Sequence, residues 1–133
     1  MKKLCLIAIA IMILSTSSIM AQSDPLDLTQ LLGSWKLDMS PQDTTDTNFA
    51  LMEITSIDEN SLSGTFYREG VKIQEGRVNT LSGRIYAALI SGDNSGKYHS
   101  AFYYEEGVLY GTTHAIDRGF LSVWVATKET LEE

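Results

Sequence analysis

The sequence holds a single cysteine, Cys5, among 133 residues. One thiol can build neither a disulfide framework nor a metal finger. Basic residues are few as well: ten Lys and Arg stand against seventeen Asp and Glu, a formal net charge of −7. Binding to a nucleic-acid backbone draws on clustered Lys and Arg, so nucleic acid is excluded as the main partner. Catalytic signatures are missing too. There is no Gly-X-Ser-X-Gly elbow, no His-Glu-X-X-His and no phosphate-cradling glycine loop. The two histidines, His99 and His114, fall short of the three or four ligands of a zinc site. Asp93-Asn94-Ser95-Gly96 lacks the later ligands of a calcium loop and reads as a turn. The expectation is a chain that is not an enzyme, with no catalytic residue, no metal and no cofactor. With 44% apolar and 20% charged residues it is neither disordered nor a polytopic membrane protein. Its length allows one domain.

The first residues read as an address. Lys2 and Lys3 form a basic n-region, residues 4–14 are an uncharged apolar run, and Ile19-Met20-Ala21 ends in a small side chain. This is the layout of a secretory signal peptide, residues 1–22, cut after Ala21 or Gln22. The apolar run is short of the ~20 residues a spanning helix needs. Cys5 is one more apolar residue of that run, so the exported chain has no cysteine and is held by its core alone. The expectation is an exported protein, periplasmic or secreted, with no membrane span after cleavage and one domain over residues 23–133. Cleavage removes Lys2 and Lys3 and no acidic residue, which leaves eight basic and seventeen acidic residues, a net charge of −9. Such a charge also disfavours anionic membrane surfaces.

After residue 33 no stretch sustains helical periodicity. Runs rich in Tyr, Phe, Val, Ile and Thr alternate with turn signals, and the pattern predicts eight strands: 33–39, 49–57, 62–67, 71–79, 84–90, 98–105, 108–116 and 120–128. Arg68-Glu69-Gly70, Leu81-Ser82-Gly83, Glu105-Glu106-Gly107 and Asp117-Arg118-Gly119 read as three-residue loops closed by a left-handed glycine and a bulge. Such loops join consecutive antiparallel strands. A meander of eight leaves two exposed edges unless it closes, so the expected fold is all-β, an eight-stranded antiparallel up-and-down barrel. Gly64, Gly76 and Gly111 fall inside predicted strands, where they either permit a sharp bend or close approach or make room for a bulky neighbour. Ahead of the first strand, Asp27 caps a short helical turn with Leu28, Leu31 and Leu32 on one face, suited to plug one barrel end. The long polar connection at residues 40–48 would lie over the other mouth, as a connector or as a lid.

A helical turn followed by Gly33-Ser34-Trp35 is similar to the Gly-X-Trp opening of lipocalins and their calycin relatives. That resemblance implies an eight-stranded up-and-down barrel that binds a small apolar molecule. Avidins share the opening, and Leu62-Ser63-Gly64-Thr65-Phe66-Tyr67 is similar to their third strand. Leu37, however, stands where avidins place a polar residue against biotin, so biotin is not carried over. The small periplasmic inhibitors of bacterial metalloproteases resemble the chain in the same first-strand motif. They insert an N-terminal tail into the enzyme. Residues 23–30 would be that tail, whereas the leucine stripe argues that it folds back.

The ligand is expected in the barrel mouth among Trp35, Tyr86, Tyr110 and Trp124, with His114 added as a polar contact. His99 and His114 lie on neighbouring strands. A two-residue turn at Glu106-Gly107 would set them opposite each other. The three-residue bulged loop, which Gly107 favours, pairs His99 with Thr113 and sends the two rings to opposite faces. The fifth and eighth strands are apolar on both faces, which suggests a homo-oligomer or a protein partner on the outside. Two functions follow: a non-enzymatic barrel binding a small, partly apolar ligand, or a protein-interaction module, either inhibitor-like or a subunit of a surface or periplasmic assembly.

Overall fold

The computed structural model describes residues 26–130. The expected signal peptide, residues 1–22, and the start of the expected tail, residues 23–25, lie outside the described residues. Segments with every second side chain apolar have one face to bury, and eight of them follow one another. They are β1 (Gly33–Asp38), β2 (Phe49–Asp58), β3 (Ser61–Tyr67), β4 (Glu75–Asn79), β5 (Tyr86–Asp93), β6 (Gly96–Glu105), β7 (Val108–Ala115) and β8 (Phe120–Lys128). Each pairs antiparallel with the next, and β8 returns to β1 with Ala126 opposite Leu37. The sheet therefore closes into a barrel, which removes the edges that invite unwanted pairing. This is the all-β, eight-stranded up-and-down architecture that the turn pattern predicts.

Two strands depart from the expected limits by three residues or more, and the others by at most two. β4 starts at Glu75 rather than Val71. Val71 and Ile73 are buried, but Val71 N donates to Arg68 O at 3.2 Å to close a turn, and only an isolated bridge joins Thr65 to Lys72. β5 runs past Ile90 to Asp93, because the turn at Asn94-Ser95 lets Asp93 pair with Gly96.

The loops also correct the expected register. Gly70, Gly83, Gly107 and Gly119 all have left-handed φ, between +70° and +86°, yet the hairpins do not share one loop length. Glu105 pairs with Val108, so β6 and β7 are joined by two residues, Glu106 at φ +48° and Gly107 at φ +84°. Two left-handed residues match the twist of the flanking strands. His99 therefore stands opposite His114, not Thr113. The reason lies inside the barrel: this register turns Leu109, Gly111, Thr113 and Ala115 inward, with Phe102 opposite Gly111. A slip of one residue would turn that set outward, a larger cost than one glutamate in the left-handed region. Between β7 and β8 the loop has four residues, 116–119, and Gly119 N donates to Ala115 O at 2.8 Å.

Both readings of the strand glycines hold, at different sites. A Cβ at Gly111 would collide with the indole of Trp124, so the glycine makes room for a bulky neighbour. At Gly64 it would collide with the Glu53 carbonyl, so that glycine lets β3 approach β2 beside the irregularity between Ile54 and Ser56.

The core is built from Trp35, Leu37, Met52, Ile54, Phe66 and Trp124, each at most 1% exposed. One barrel end is shut by a 3-10 turn at Leu28–Leu31, capped by Asp27, which accepts from Thr29 N at 3.0 Å and from Thr29 Oγ1 at 2.6 Å. Leu31 is fully buried, a contribution of about 1.5–3 kcal/mol for a leucine. Trp35 Nε1 donates to Leu31 O at 2.8 Å, and Lys128 Nζ donates to Gln30 O at 3.0 Å. Residues 26–32 thus fold back onto the barrel. Among the described residues no helix is long and apolar enough to cross a membrane.

Candidate functional site

In an up-and-down barrel alternate loops share an end. The loops after β1, β3, β5 and β7 surround the end opposite the leucine turn, and this end is open. Its cavity measures about 330 Å³ and is lined by Phe66, Tyr67, Tyr98, Thr113 and Ser122, with Arg118 and Phe120 at the entrance. A volume of ~300 Å³ or more suits a small ligand.

The rim is built around Asp93, the last residue of β5. In the turn that follows, its carboxylate accepts from Ser95 N at 2.8 Å and Ser95 Oγ at 2.6 Å. From β3, Tyr67 donates its hydroxyl to Asp93 at 2.7 Å, and Arg68 lies 3.3 Å away as an ion pair. Tyr98 completes the cluster, its hydroxyl 2.7 Å from Ser95 Oγ. The rings of Tyr67 and Tyr98 meet edge to face at 5.0 Å. Donors from Ser95 and Tyr67 hold the Asp93 carboxyl well below the usual carboxylate range. In turn, the hydrogen bond to Asp93, aided by burial, pushes the Tyr67 phenol up to about 12. The cluster also has a mechanical role. β3 and β4 share one laddered pair, Ser61 with Arg77, and the chain ahead of β4 is held to β3 by the bridge of Thr65 with Lys72 and by Phe66 N donating to Val71 O at 2.9 Å and Ile73 N to Gly64 O at 2.8 Å. The Tyr67–Asp93 bond adds a tie from the end of β3 directly to β5.

One layer down, register brings hydroxyls together. Ser100 stands opposite Thr113, and Thr113 opposite Ser122. Ser100 Oγ and Thr113 Oγ1 are 2.8 Å apart, and Trp124 Nε1 donates to Thr113 Oγ1 at 2.9 Å. A hydroxyl has one proton and two lone pairs. If Thr113 donates to Ser100, one lone pair remains; if it accepts from Ser100, its proton remains. Either way one hydrogen-bonding function of Thr113 is left for the cavity. Beneath lies an apolar layer, with Trp124 packed between Phe66 and Phe102 at centroid distances of 6.1 and 5.9 Å.

The five residues expected to hold the ligand do not all meet: Tyr86, Tyr110 and Trp124 border one depression on the outer wall, while Trp35 and His114 stand apart from it. Trp35 and Trp124 point inward but lie below the cavity, in the filled part of the barrel. Tyr86, Tyr110 and His114 are on the outer wall, where Tyr86 is 44% and Tyr110 37% exposed. This placement has a physical cause: β7 has its inward face on the odd-numbered residues, so Tyr110 and His114 face solvent. Phe66, Tyr67, Asp93, Tyr98, Thr113 and Ser122 were not singled out as site residues. For Thr113 and Ser122 the signal was the alternation itself, since Ser122 shares a face with Trp124. Nothing in the sequence links Tyr67 to Asp93, 26 residues on.

The connection at residues 40–48 is held by its own short bonds. Asp43 accepts from Thr45 N at 3.0 Å and Asp46 from Asn48 N at 2.9 Å, while Ser40 Oγ donates to Asp46 at 2.6 Å. The loop's ends, at Met39 and Asn48, line the cavity, and its middle is exposed. The aligned histidines stand exposed on the outer wall. Among the described residues no group of three or more His, Cys, Asp and Glu is placed to hold a metal. Comparison of the chain with family models, curated proteins and solved structures finds no match.

Proposed function

We propose that this chain is an exported, non-enzymatic β-barrel of the lipocalin and calycin type, periplasmic or secreted, that holds a small, partly apolar molecule in the barrel mouth. One observation carries the reading: the character of the mouth cavity changes with depth. Its rim is aromatic, with Tyr67, Tyr98 and Phe120; Thr113 and Ser122 place hydroxyls further in; Phe66 supplies an apolar wall. Asp93 is engaged by Ser95, Tyr67 and Arg68, so this carboxylate supports the rim and stands outside the cavity's lining. Such a cavity suits a molecule with an apolar body and one polar end. Burial supplies most of the affinity at about 0.8 kcal/mol per methylene, and a hydrogen bond to Thr113, about 1 kcal/mol net, sets orientation.

Native mass spectrometry of the protein purified from its own host tests the reading. A small molecule released on denaturation is expected, and Ser122→Trp, which fills the cavity from an inward position, should lose it while retaining the circular dichroism of the barrel. Protein that carries nothing and shows no change in tryptophan emission with amphipathic probes defeats the proposal.

A further inference from the structure

Three rows of side chains cross the outside of β5 to β8. The first is aromatic: Tyr86 is opposite Tyr103, Tyr103 opposite Tyr110, and Tyr110 opposite Val125. The tyrosine rings form a ridge, with centroids 5.9 Å apart for Tyr86 and Tyr103 and 5.2 Å for the stacked Tyr103 and Tyr110. The second row is small: Ala88, Ala101 and Thr112 lead to Val123, which is 58% exposed. The third is Ile90, His99, His114 and Leu121, the last 62% exposed. A ridge thus runs beside a trough, and the depression between Tyr103, Tyr110, Ala101 and Val123 measures about 460 Å³. None of these twelve positions is Asp, Glu, Lys or Arg, in a chain with seventeen acidic residues.

We propose that this wall is the contact face of a homodimer, closed by a second copy of the chain about a twofold axis. Charge selects the occupant. Two copies of a strongly acidic chain repel wherever carboxylates face each other, and this wall brings none together. A cationic partner would find no carboxylate within the three rows; Glu75 stands at the β4 margin, opposite Ile90, and is paired with Arg77. Shape agrees. A twofold interface must be complementary to itself, and a ridge beside a trough meets that demand, since each tyrosine row lies in the other copy's Ala88–Ala101–Thr112 row. Three rows ~6.7 Å apart on four strands ~4.8 Å apart cover roughly 400 Å² before side-chain relief is counted, about half of the ~800 Å² per partner of a stable contact, so the tyrosine ridge and the margins of the wall supply the rest. The proposal does not depend on the mouth binding a ligand.

Sedimentation velocity on the purified full chain tests it. A dimer is expected, with an association constant that rises roughly two- to tenfold as salt shortens the Debye length from ~30 Å to ~8 Å. A contact driven by opposite charges would weaken instead. Ala101→Glu and Val123→Glu place a carboxylate in the trough, and each should lower association at least tenfold, on the order of the penalty for facing like charges. Both positions are exposed in a single copy, so circular dichroism should stay that of the wild type. Should either variant fail to fold, Thr112→Arg in the same row carries the test. A monomer at every salt concentration, association that falls with salt, or a dimer indifferent to these substitutions overturns the proposal, the first leaving the wall to a different protein.

Discussion

The two barrel ends use indole and phenol groups in opposite ways. At the shut end Trp35 lies beneath the leucine turn, and its one polar atom is spent on the Leu31 carbonyl. That bond is buried, while Asp27 and Lys128 tie the turn down from the exposed side. At the open end Tyr67 and Tyr98 gather round a carboxylate beside solvent, and the hydroxyl layer beneath keeps a hydrogen-bonding function in reserve. On the proposed function, stability is concentrated at one end and recognition at the other. Substitutions should separate accordingly: those near the turn lower folding stability without altering the mouth, and those at the rim change binding more than they change folding.

Leu31→Ala should break that contrast most strongly. The side chain is fully buried in the plug, and its loss should cost about 2–5 kcal/mol, depending on how far the turn collapses. Urea unfolding measures this, and the m value should stay unchanged. A loss below about 1 kcal/mol would mean that the turn rests on the barrel without closing it. Trp35→Phe comes next. Phenylalanine leaves out three ring atoms, and the Leu31 carbonyl loses its donor within a buried site, which by itself costs about 1–3 kcal/mol. A neutral result in the same assay would show that water reaches this carbonyl and that the end is not sealed.

The contrast also marks what could be read from the sequence. Strand alternation and glycine-closed turns suffice for eight strands, because each is a local property: β8 is found at Phe120–Lys128, as the pattern predicts. Closure followed from counting edges. The helical turn followed from Asp27 and the leucine spacing. The open end was not legible, because it depends on register. Whether Thr113 or Tyr110 faces inward turns on a single residue of loop length, and Gly107 is compatible with either turn. Only the need to bury Leu109 and to seat Trp124 over Gly111 decides it, a tertiary constraint. The Tyr67–Asp93 bond joins strands that are not neighbours in the sheet, so no spacing rule announces it.

Tyr67→Phe has a smaller effect, about 1 kcal/mol for a hydrogen bond at a partly exposed rim, and should add to the cost of Leu31→Ala because the two sites share no partner. Its pH dependence sharpens the comparison. Tyr67 has its phenol pushed up to about 12, against ~10 in an unfolded chain. The stability it supplies is complete below ~10 and is lost as pH rises through the folded value. Asp93 is displaced downward, so its contribution is complete above the usual carboxylate value of ~3.9 and is lost as pH falls below it. Wild-type stability should therefore decline on both flanks. Tyr67→Phe should flatten the alkaline flank, and Asp93→Asn the acid one, while Trp35→Phe lowers the whole curve without changing its shape. Parallel curves for wild type and the two rim variants would show that the Tyr67–Asp93 bond does not hold the mouth together.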